Sequence, residues 1–413
     1  MRIDPAKHGW LTEPATRRVM AALGEGRFVG GAVRNALLGV VVSDIDIAVP
    51  MPPKESLRRL EAAGIKALPT GIDHGTVTAI AGGQAFEVTS LRRDVATDGR
   101  RAVVAYTTEW DEDAARRDFT INALYAAADG EIFDYVGGLS DLIAGKVRFV
   151  GDPARRIAED YLRILRLFRF HAWYGRGEMD AAALHAAAAA RDGLHRLSGE
   201  RVAKEMLRLL ECADPGPTLR VMAASGILPA ILPEAVNLPR LEHMARIDAD
   251  NLFPPDAVLR LAALLPDEAA AGTAVAGRLR LSGADRARLE DLLGAAEKVV
   301  SYLSVREVRR LLYRLGGPRF KDRVRLKWAA SPQDRIGGAG TIQWRMLLAV
   351  ADAWVRPRFP LTGRAVMAAG VPEGPLVGKV LAEVEDWWID SDFPDDAFAV
   401  AERLKAIVQS GFA

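Results

Sequence analysis

Apolar and polar residues follow two different patterns along the chain, and the change falls after Gly137-Gly138. Between Arg27 and about Val136, short apolar runs alternate with turn residues, the mark of strands. The expected strands are Arg27–Val29, Asp44–Val49, Gly75–Ala81, Gln84–Thr89 and Gly130–Phe133. Gly82-Gly83 reads as the turn of a hairpin. A short amphipathic helix over Glu13–Leu23 leads into the first strand. The segment 1–138 is therefore an α+β region with a small mixed sheet.

Beyond it the pattern is helical. Asp152-Pro153 starts a helix, with Asp as the cap and Pro at the first helical position. That helix is expected to run unbroken through Glu159-Asp160 to about Trp173. An alanine-rich helix follows over Asp180–Arg191, then one over Gly199–Leu210 with Ser198 as cap. Pro215–Pro217 and Pro229–Pro233 punctuate, and Ser331–Gly340 reads as a linker. No strand is expected after 138. The divisions are 1–138, then helical segments 139–212, 213–330 and 341–413.

Composition narrows the function classes. Half of the 413 residues are hydrophobic, so wholesale disorder is out. Lysine and arginine number 55 against 54 acidic residues, so RNA binding has to come from local patches rather than from net charge. Such a patch spans Ser301–Lys327, where Arg309, Arg310 and Arg314 recur at helical spacing. The plainer reading of that stretch is a solvated face. The single cysteine, Cys212, lies in a Leu/Met-rich run and reads as a small core residue. No apolar run reaches membrane-spanning length and the N-terminus lacks a signal-peptide core, so a cytoplasmic protein without membrane contact is expected.

Candidate chemistry concentrates between Gly30 and Asp46. Gly30-Gly31-Ala32-Val33-Arg34 follows a short strand and opens a helix, so backbone N–H groups can approach an anion there. Gly30-Gly31 lacks the Gly-x-Gly-x-x-Gly spacing of a dinucleotide site. Asp44-Ile45-Asp46 places two carboxylates on one face of a strand. Paired carboxylates without a neighbouring base repel unless a cation lies between them, and hard oxygen ligands of this kind suit Mg²⁺. Glu87, in Phe86-Glu87-Val88-Thr89, can complete such a site or stand as an edge charge.

Two further motifs carry charge. Arg116-Arg117-Asp118-Phe119-Thr120-Ile121-Asn122 reads as the opening of a helix, where a bound phosphate would relieve arginines set against the macrodipole. The alternative is a surface pair answered by Glu112 or Asp113. In Glu159-Asp160-Tyr161-Leu162-Arg163, Asp160 and Arg163 are three apart and are expected to share a helix face. They either pair with each other or read a base: a carboxylate accepts from the amino group of cytosine or adenine, and a guanidinium donates to the neighbouring ring acceptor. Arg166 stays near that face, while Arg169 is expected on roughly the opposite side. Arg92–Val104, with Asp94, Asp98, Arg100 and Arg101, reads as a mobile surface loop.

These motifs in this order resemble the class II tRNA nucleotidyltransferases and bacterial poly(A) polymerases, on the polymerase-β-like nucleotidyltransferase fold. The resemblance is dense from about Phe28 to Phe170 and looser beyond. It implies a catalytic head over 1–138, a neck over 139–212 that recognises the base, an RNA-binding body over 213–330 and a tRNA-binding tail over 341–413. It implies that Asp44 and Asp46 bind Mg²⁺, with Glu87 a possible third acid. Gly30, Gly31 and Arg34 would hold the triphosphate. Arg117, Asp118 and Asn122 would hold triphosphate or ribose. Asp160 and Arg163, with Arg166 and Arg169 nearby, would read the base without a template. Asn35 departs from the Asp usual after that arginine.

The implied partners are tRNA, CTP and ATP, and the implied reaction is CCA addition with release of pyrophosphate. The full loop at Arg92–Val104 and the acidic end, Glu383 to Asp396, favour CCA addition over a poly(A) polymerase or a CC- or A-adding relative. An RNA-binding protein with an inactive head would lack one of Asp44 and Asp46, and both are present.

Overall fold

The period-2 segments assemble into one mixed sheet. The computed structural model describes residues 1–98, 101–331 and 339–411, with the side chains of all but 94–98, 101–104 and 339. Among the described residues the strands are β1 (Arg27–Val29), β2 (Ile45–Val49), β3 (Lys66–Gly71), β4 (Thr76–Ala81), β5 (Gln84–Ser90), β6 (Arg92–Asp98), β7 (Arg101–Tyr106), β8 (Leu124–Ala126) and β9 (Ile132–Asp134). Seven of them form a sheet in the order β3-β4-β5-β2-β1-β8-β9. Only the β2–β5 pair is parallel, and every other neighbouring pair runs antiparallel. Gly82 and Gly83 both take positive φ at the β4–β5 turn, which a two-residue hairpin of this kind requires.

The chain forms two compact units, Met1–Ala235 with Val275–Ser282, and Val236–Ala274 with Gly283–Ala413. The first division lies within the stretch 213–330 that the sequence suggests as one segment. In the first unit one core cluster joins Val29, Ala48, Leu91, Ala114, Ala123, Tyr125 and Val150. It fixes β1, β2 and β8 from one side and so holds the strand ends that carry the site. In the second unit helix Val305–Leu315 presents Tyr313 to a cluster built around Val366, Val380, Val384 and Trp388.

Three expectations need correction. Helix Pro53–Ala62 and strand β3 fall where no element was expected. Pro52-Pro53 imitates a turn, and β3 is a little-buried sheet edge whose Pro69 and Thr70 break any alternation. Arg92–Val104 is in large part a two-stranded hairpin, β6 with β7, rather than a loop. The side chains expected to act there, Asp94, Asp98, Arg100 and Arg101, lie outside the described residues, as do 332–338 of the expected linker. Finally, the helix expected through Glu159-Asp160 is two helices, Pro153–Glu159 and Leu162–Tyr174. Asp160 breaks it with an extended backbone, φ −158° and ψ 109°. Asp152 caps the first of the two as expected, accepting from the Arg155 N–H at 2.7 Å.

No described helix is long and apolar enough to cross a membrane.

Candidate active site

The chain leaves β1 through Gly30, at φ +67°, and enters helix Gly31–Leu37. The positive φ turns the backbone sharply, which brings Gly30 and Gly31 to the wall of a cleft of about 540 Å³. Ser43, Asp44 and Asp46 line the same cleft from the start of β2. Asp46 is the register partner of Glu87 on β5, so the parallel pairing sets the two carboxylates side by side. Burial pushes the Asp46 carboxyl up to about 6, and the charges of Glu87 and Asp44 push the same way. Asp44 accepts from the Ser43 hydroxyl at 3.1 Å. Glu87 is exposed and does not line the cleft.

Among the described residues no three His, Cys, Asp or Glu side chains form a cluster able to enclose a metal by themselves. The donors present still fit Mg²⁺. That ion binds through one or two carboxylates and fills its shell with water and substrate phosphate. Asp46 feels the negative charge of both Asp44 and Glu87, only partly answered by Arg117, which is the charge such an ion would offset.

The opposite wall is cationic, and its order comes from a carboxylate that the sequence only offered as a surface answer. Arg116 and Arg117 do not open a helix. They follow the helix Trp110–Ala115, where the macrodipole favours positive charge. Asp113 on that helix is 1% exposed. It accepts from Arg116 at 2.6 Å, from Arg117 at 2.8 Å and from the Tyr125 hydroxyl at 2.7 Å. Burial alone would raise the Asp113 carboxyl, but Arg117 and Arg116 outweigh it and hold it at about 2. Thus Arg117 reaches the cleft with its orientation fixed from behind.

Asp118 accepts from Arg166 and from the Asn122 amide, the latter at 3.1 Å. Burial disfavours its charge, yet Arg166 and these hydrogen bonds keep its carboxyl below the usual range. Asn122 in turn accepts from Arg34 through its carbonyl oxygen. Arg34 also donates to Asn35 at 3.0 Å and to the Tyr174 hydroxyl at 2.9 Å. All of these partners are neutral, and Arg34 makes no ion pair with a described carboxylate. Its guanidinium lies 4.1 Å over the Tyr174 ring.

Helix Leu162–Tyr174 supplies the third wall through Arg166, Arg169, Phe170, Trp173 and Tyr174. Arg169 therefore shares the cleft with Arg166 rather than facing away; it is anchored on buried Glu205. Asp160 and Arg163 do not pair with each other, because the helix breaks between them. Asp160 accepts from Arg201 at 2.6 Å, and Arg163 pairs with Glu159 and donates to the Arg156 carbonyl at 2.7 Å. Neither lines the cleft, although the Asp160 charge is felt by Arg166, which does.

Sequence reasoning offered Asp113 only as a surface partner of the arginines, and it passed over Phe170, Trp173, Tyr174, Arg208 and Glu211. Phe170, Trp173 and Tyr174 sit four, seven and eight positions after Arg166, so helical spacing was the available signal. The last two come from the end of helix Gly199–Leu210.

In the second unit the three arginines singled out from the basic run each have an acidic partner. Arg309 pairs with Asp392 at 2.9 Å, Arg310 with Asp390 at 3.1 Å and Arg314 with Asp386 at 3.0 Å. Arg309, Arg310 and Arg314 thus form an ion-pair ladder with Asp386, Asp390 and Asp392.

Comparison with known proteins agrees with this geometry. Residues 26–148 match the poly A polymerase head domain, and residues 178–238 match the probable RNA and SrmB-binding site of polymerase A. The chain is 34% identical over 385 residues to the mitochondrial CCA tRNA nucleotidyltransferase 1 of Mus musculus, covering 89% of this chain and 83% of that one. The crystal structure of the Bacillus stearothermophilus CCA-adding enzyme in complex with CTP superposes with a TM-score of 0.74 at 23% identity, covering 97% of this chain and 100% of that one. The Thermotoga maritima CCA-adding enzyme complexed with tRNA gives a TM-score of 0.66 at 20% identity over 98% and 97% of the two chains. These likenesses extend along nearly the whole length, sheet and helices together, and the chain belongs to the CCA tRNA nucleotidyltransferase family.

Proposed function

We propose that this chain adds C, C and A to the 3′ end of tRNA, taking them from CTP and ATP and releasing pyrophosphate. The observation that carries the reading is the cleft itself: acidic strand β2 on one side, and Arg34, Arg117, Arg166 and Arg169 on the others. A nucleoside triphosphate fits between such walls because its phosphates answer the guanidiniums and leave the α-phosphorus toward the carboxylates.

Asp44 and Asp46 would hold Mg²⁺, with Glu87 behind them adding negative charge. When bound, the ion would supply Lewis acidity, easing negative charge on the phosphoryl group and lowering the cost of deprotonating the attacking hydroxyl. The RNA 3′ hydroxyl then attacks the α-phosphorus. A new P–O bond forms to the ribose oxygen, the bond between the α-phosphorus and the bridging oxygen breaks, and pyrophosphate leaves. The hydroxyl proton is given up to solvent water as the bond forms. Arg34 and Arg117 steady the charge that builds on the departing pyrophosphate, and Asn122 and Asp118 hold the ribose edge. Base choice runs through Asp160 and Arg163, which would release Arg201 and Glu159 to meet cytosine or adenine. RNA lies along the helical segments that follow the head.

The test is incubation with a tRNA that ends at the discriminator base, plus CTP and ATP, read on a sequencing gel. Growth by three nucleotides ending in A is expected. Long A-tracts would move the activity to poly(A) synthesis, and arrest after two C residues with ATP present would move it to CC addition.

A further inference from the structure

Trp173 lines the cleft, yet no step above uses it. It is 43% exposed. It is also fixed: the indole Nε1–H donates to the Arg208 carbonyl at 2.7 Å. With its only polar atom satisfied by protein, the exposed surface of the ring offers area and π-electrons but no hydrogen bond. Its neighbour Tyr174 is already engaged, since Arg34 lies over its ring and donates to its hydroxyl. Beside Trp173 the Arg208 side chain lines the same cleft, is exposed and makes no ion pair with a described residue.

We infer that Trp173 and Arg208 seat the 3′-terminal nucleotide of the RNA, the indole stacking on its base and the guanidinium meeting its phosphate. The inference rests on the proposed reaction and assigns it a second substrate subsite. In that reaction the RNA end changes with every addition: first the discriminator base, which differs between tRNAs, then C, then C again. A seat for that end has to accept any base. Base–aromatic stacking does so, because every base has a π-face. The rest of the cleft is built from hydrogen-bonding groups such as Arg34, Asn122, Asp118 and Arg166, which suit a polar ligand of constant shape. Trp173 and Phe170 lack such groups, and of the two only Trp173 is exposed and open to a strand arriving from solvent.

The experiment is steady-state kinetics of the full chain, varying tRNA at fixed CTP and CTP at fixed tRNA. Trp173→Leu keeps apolar bulk without a ring, and Trp173→Phe keeps a ring without the Nε1 bond. Trp173→Leu should raise KM for tRNA about tenfold, within the range of one lost stack. KM for CTP should hold within about twofold, a change too small for a lost stack. Trp173→Phe should recover most of the loss, and tRNAs ending in A, C, G or U should respond alike. Arg208→Gln should lower the log–log salt slope of tRNA binding by about one unit. A rise confined to KM for CTP would give the ring to the incoming nucleotide and overturn the assignment. So would equal damage from Leu and Phe, which would make the Nε1 bond the operative feature, or no change in either variant. Failure of the unsubstituted chain to extend any tRNA is a separate outcome, visible before variants are compared, and it removes the reaction on which the seat depends.

Discussion

Arg34 of the first compact unit and Arg309, Arg310 and Arg314 of the second are held in opposite ways. In the first, Arg34 reaches the cleft wall held by Asn122, Asn35 and Tyr174, all neutral, so its charge is left for a substrate. Arg117 is braced by Asp113 from behind, and that carboxylate is shared with Arg116, so the group carries more positive than negative charge. In the second, Arg309, Arg310 and Arg314 each meet an aspartate of their own. These pairs join helix Val305–Leu315 to the acidic end of the chain and leave the guanidiniums about half exposed. A run of arginines therefore says little about ligand binding until the carboxylates opposite it are counted.

The largest effect that bears on this contrast belongs to the acidic side of the cleft. Asp44→Ala or Asp46→Ala should cut CMP transfer by about a thousandfold or more, the several kcal/mol that metal-assisted charge stabilisation supplies. The fold should persist, since each change removes one of several repelling carboxylates; circular dichroism melts check this alongside the rate. Near-normal turnover in either variant would move the reaction away from β2.

Next comes the brace. Asp113→Ala leaves two buried guanidiniums without their carboxylate and should cost about 3–5 kcal/mol of stability. Asp113 ionises at about 2 in the folded chain against 3.8 ordinarily, so its contribution is complete above pH 4 and is lost as pH falls through 2. Urea midpoints measured from pH 6 downward should show the gap between parent and variant closing only in the most acidic samples. A gap that closes near neutrality would point to some other partner.

Reversing Arg309, Arg310 and Arg314 to Glu sharpens the contrast from the other unit. Each exposed pair is worth about 1 kcal/mol or less, and reversal adds repulsion against Asp386, Asp390 and Asp392. The melting temperature should fall, while the salt slope of tRNA binding should change by less than about one unit. A slope that drops by three units would show that these guanidiniums exchange their aspartates for phosphates. The smallest effect concerns selectivity. Asp160→Asn should raise UTP use relative to CTP by about tenfold, the cost of one mismatched buried polar contact, measured as kcat/KM on one tRNA. Unchanged discrimination would leave Asp160 as the partner of Arg201 and nothing more.

How much of this was legible follows from how local each feature is. The glycine turn, Asp44 and Asp46 lie within 17 consecutive positions, Gly30 to Asp46, and strand periodicity puts both carboxylates on one face without tertiary information. Glu87 needed the parallel register of β2 with β5, which no local pattern specifies. Asp113 was hidden because it sits in the acidic run Asp111-Glu112-Asp113, where a solvated carboxylate looks the same as a buried one. The break at Asp160 was missed because a helical pattern runs on both sides of it, while Arg201, the partner that holds it, is 41 positions away. The ion-pair ladder of the second unit joins residues 72 to 83 positions apart, so its two halves read separately as a basic patch and an acidic end.

The contrast between open and spent arginines is tested most directly by comparing KM for CTP in Arg34→Gln and Arg310→Gln under one set of conditions. Loss of a charge-assisted contact to phosphate should raise KM about ten- to a hundredfold in Arg34→Gln, while Arg310→Gln should match the parent. Equal values for the two variants, or a larger rise in Arg310→Gln, would contradict the account.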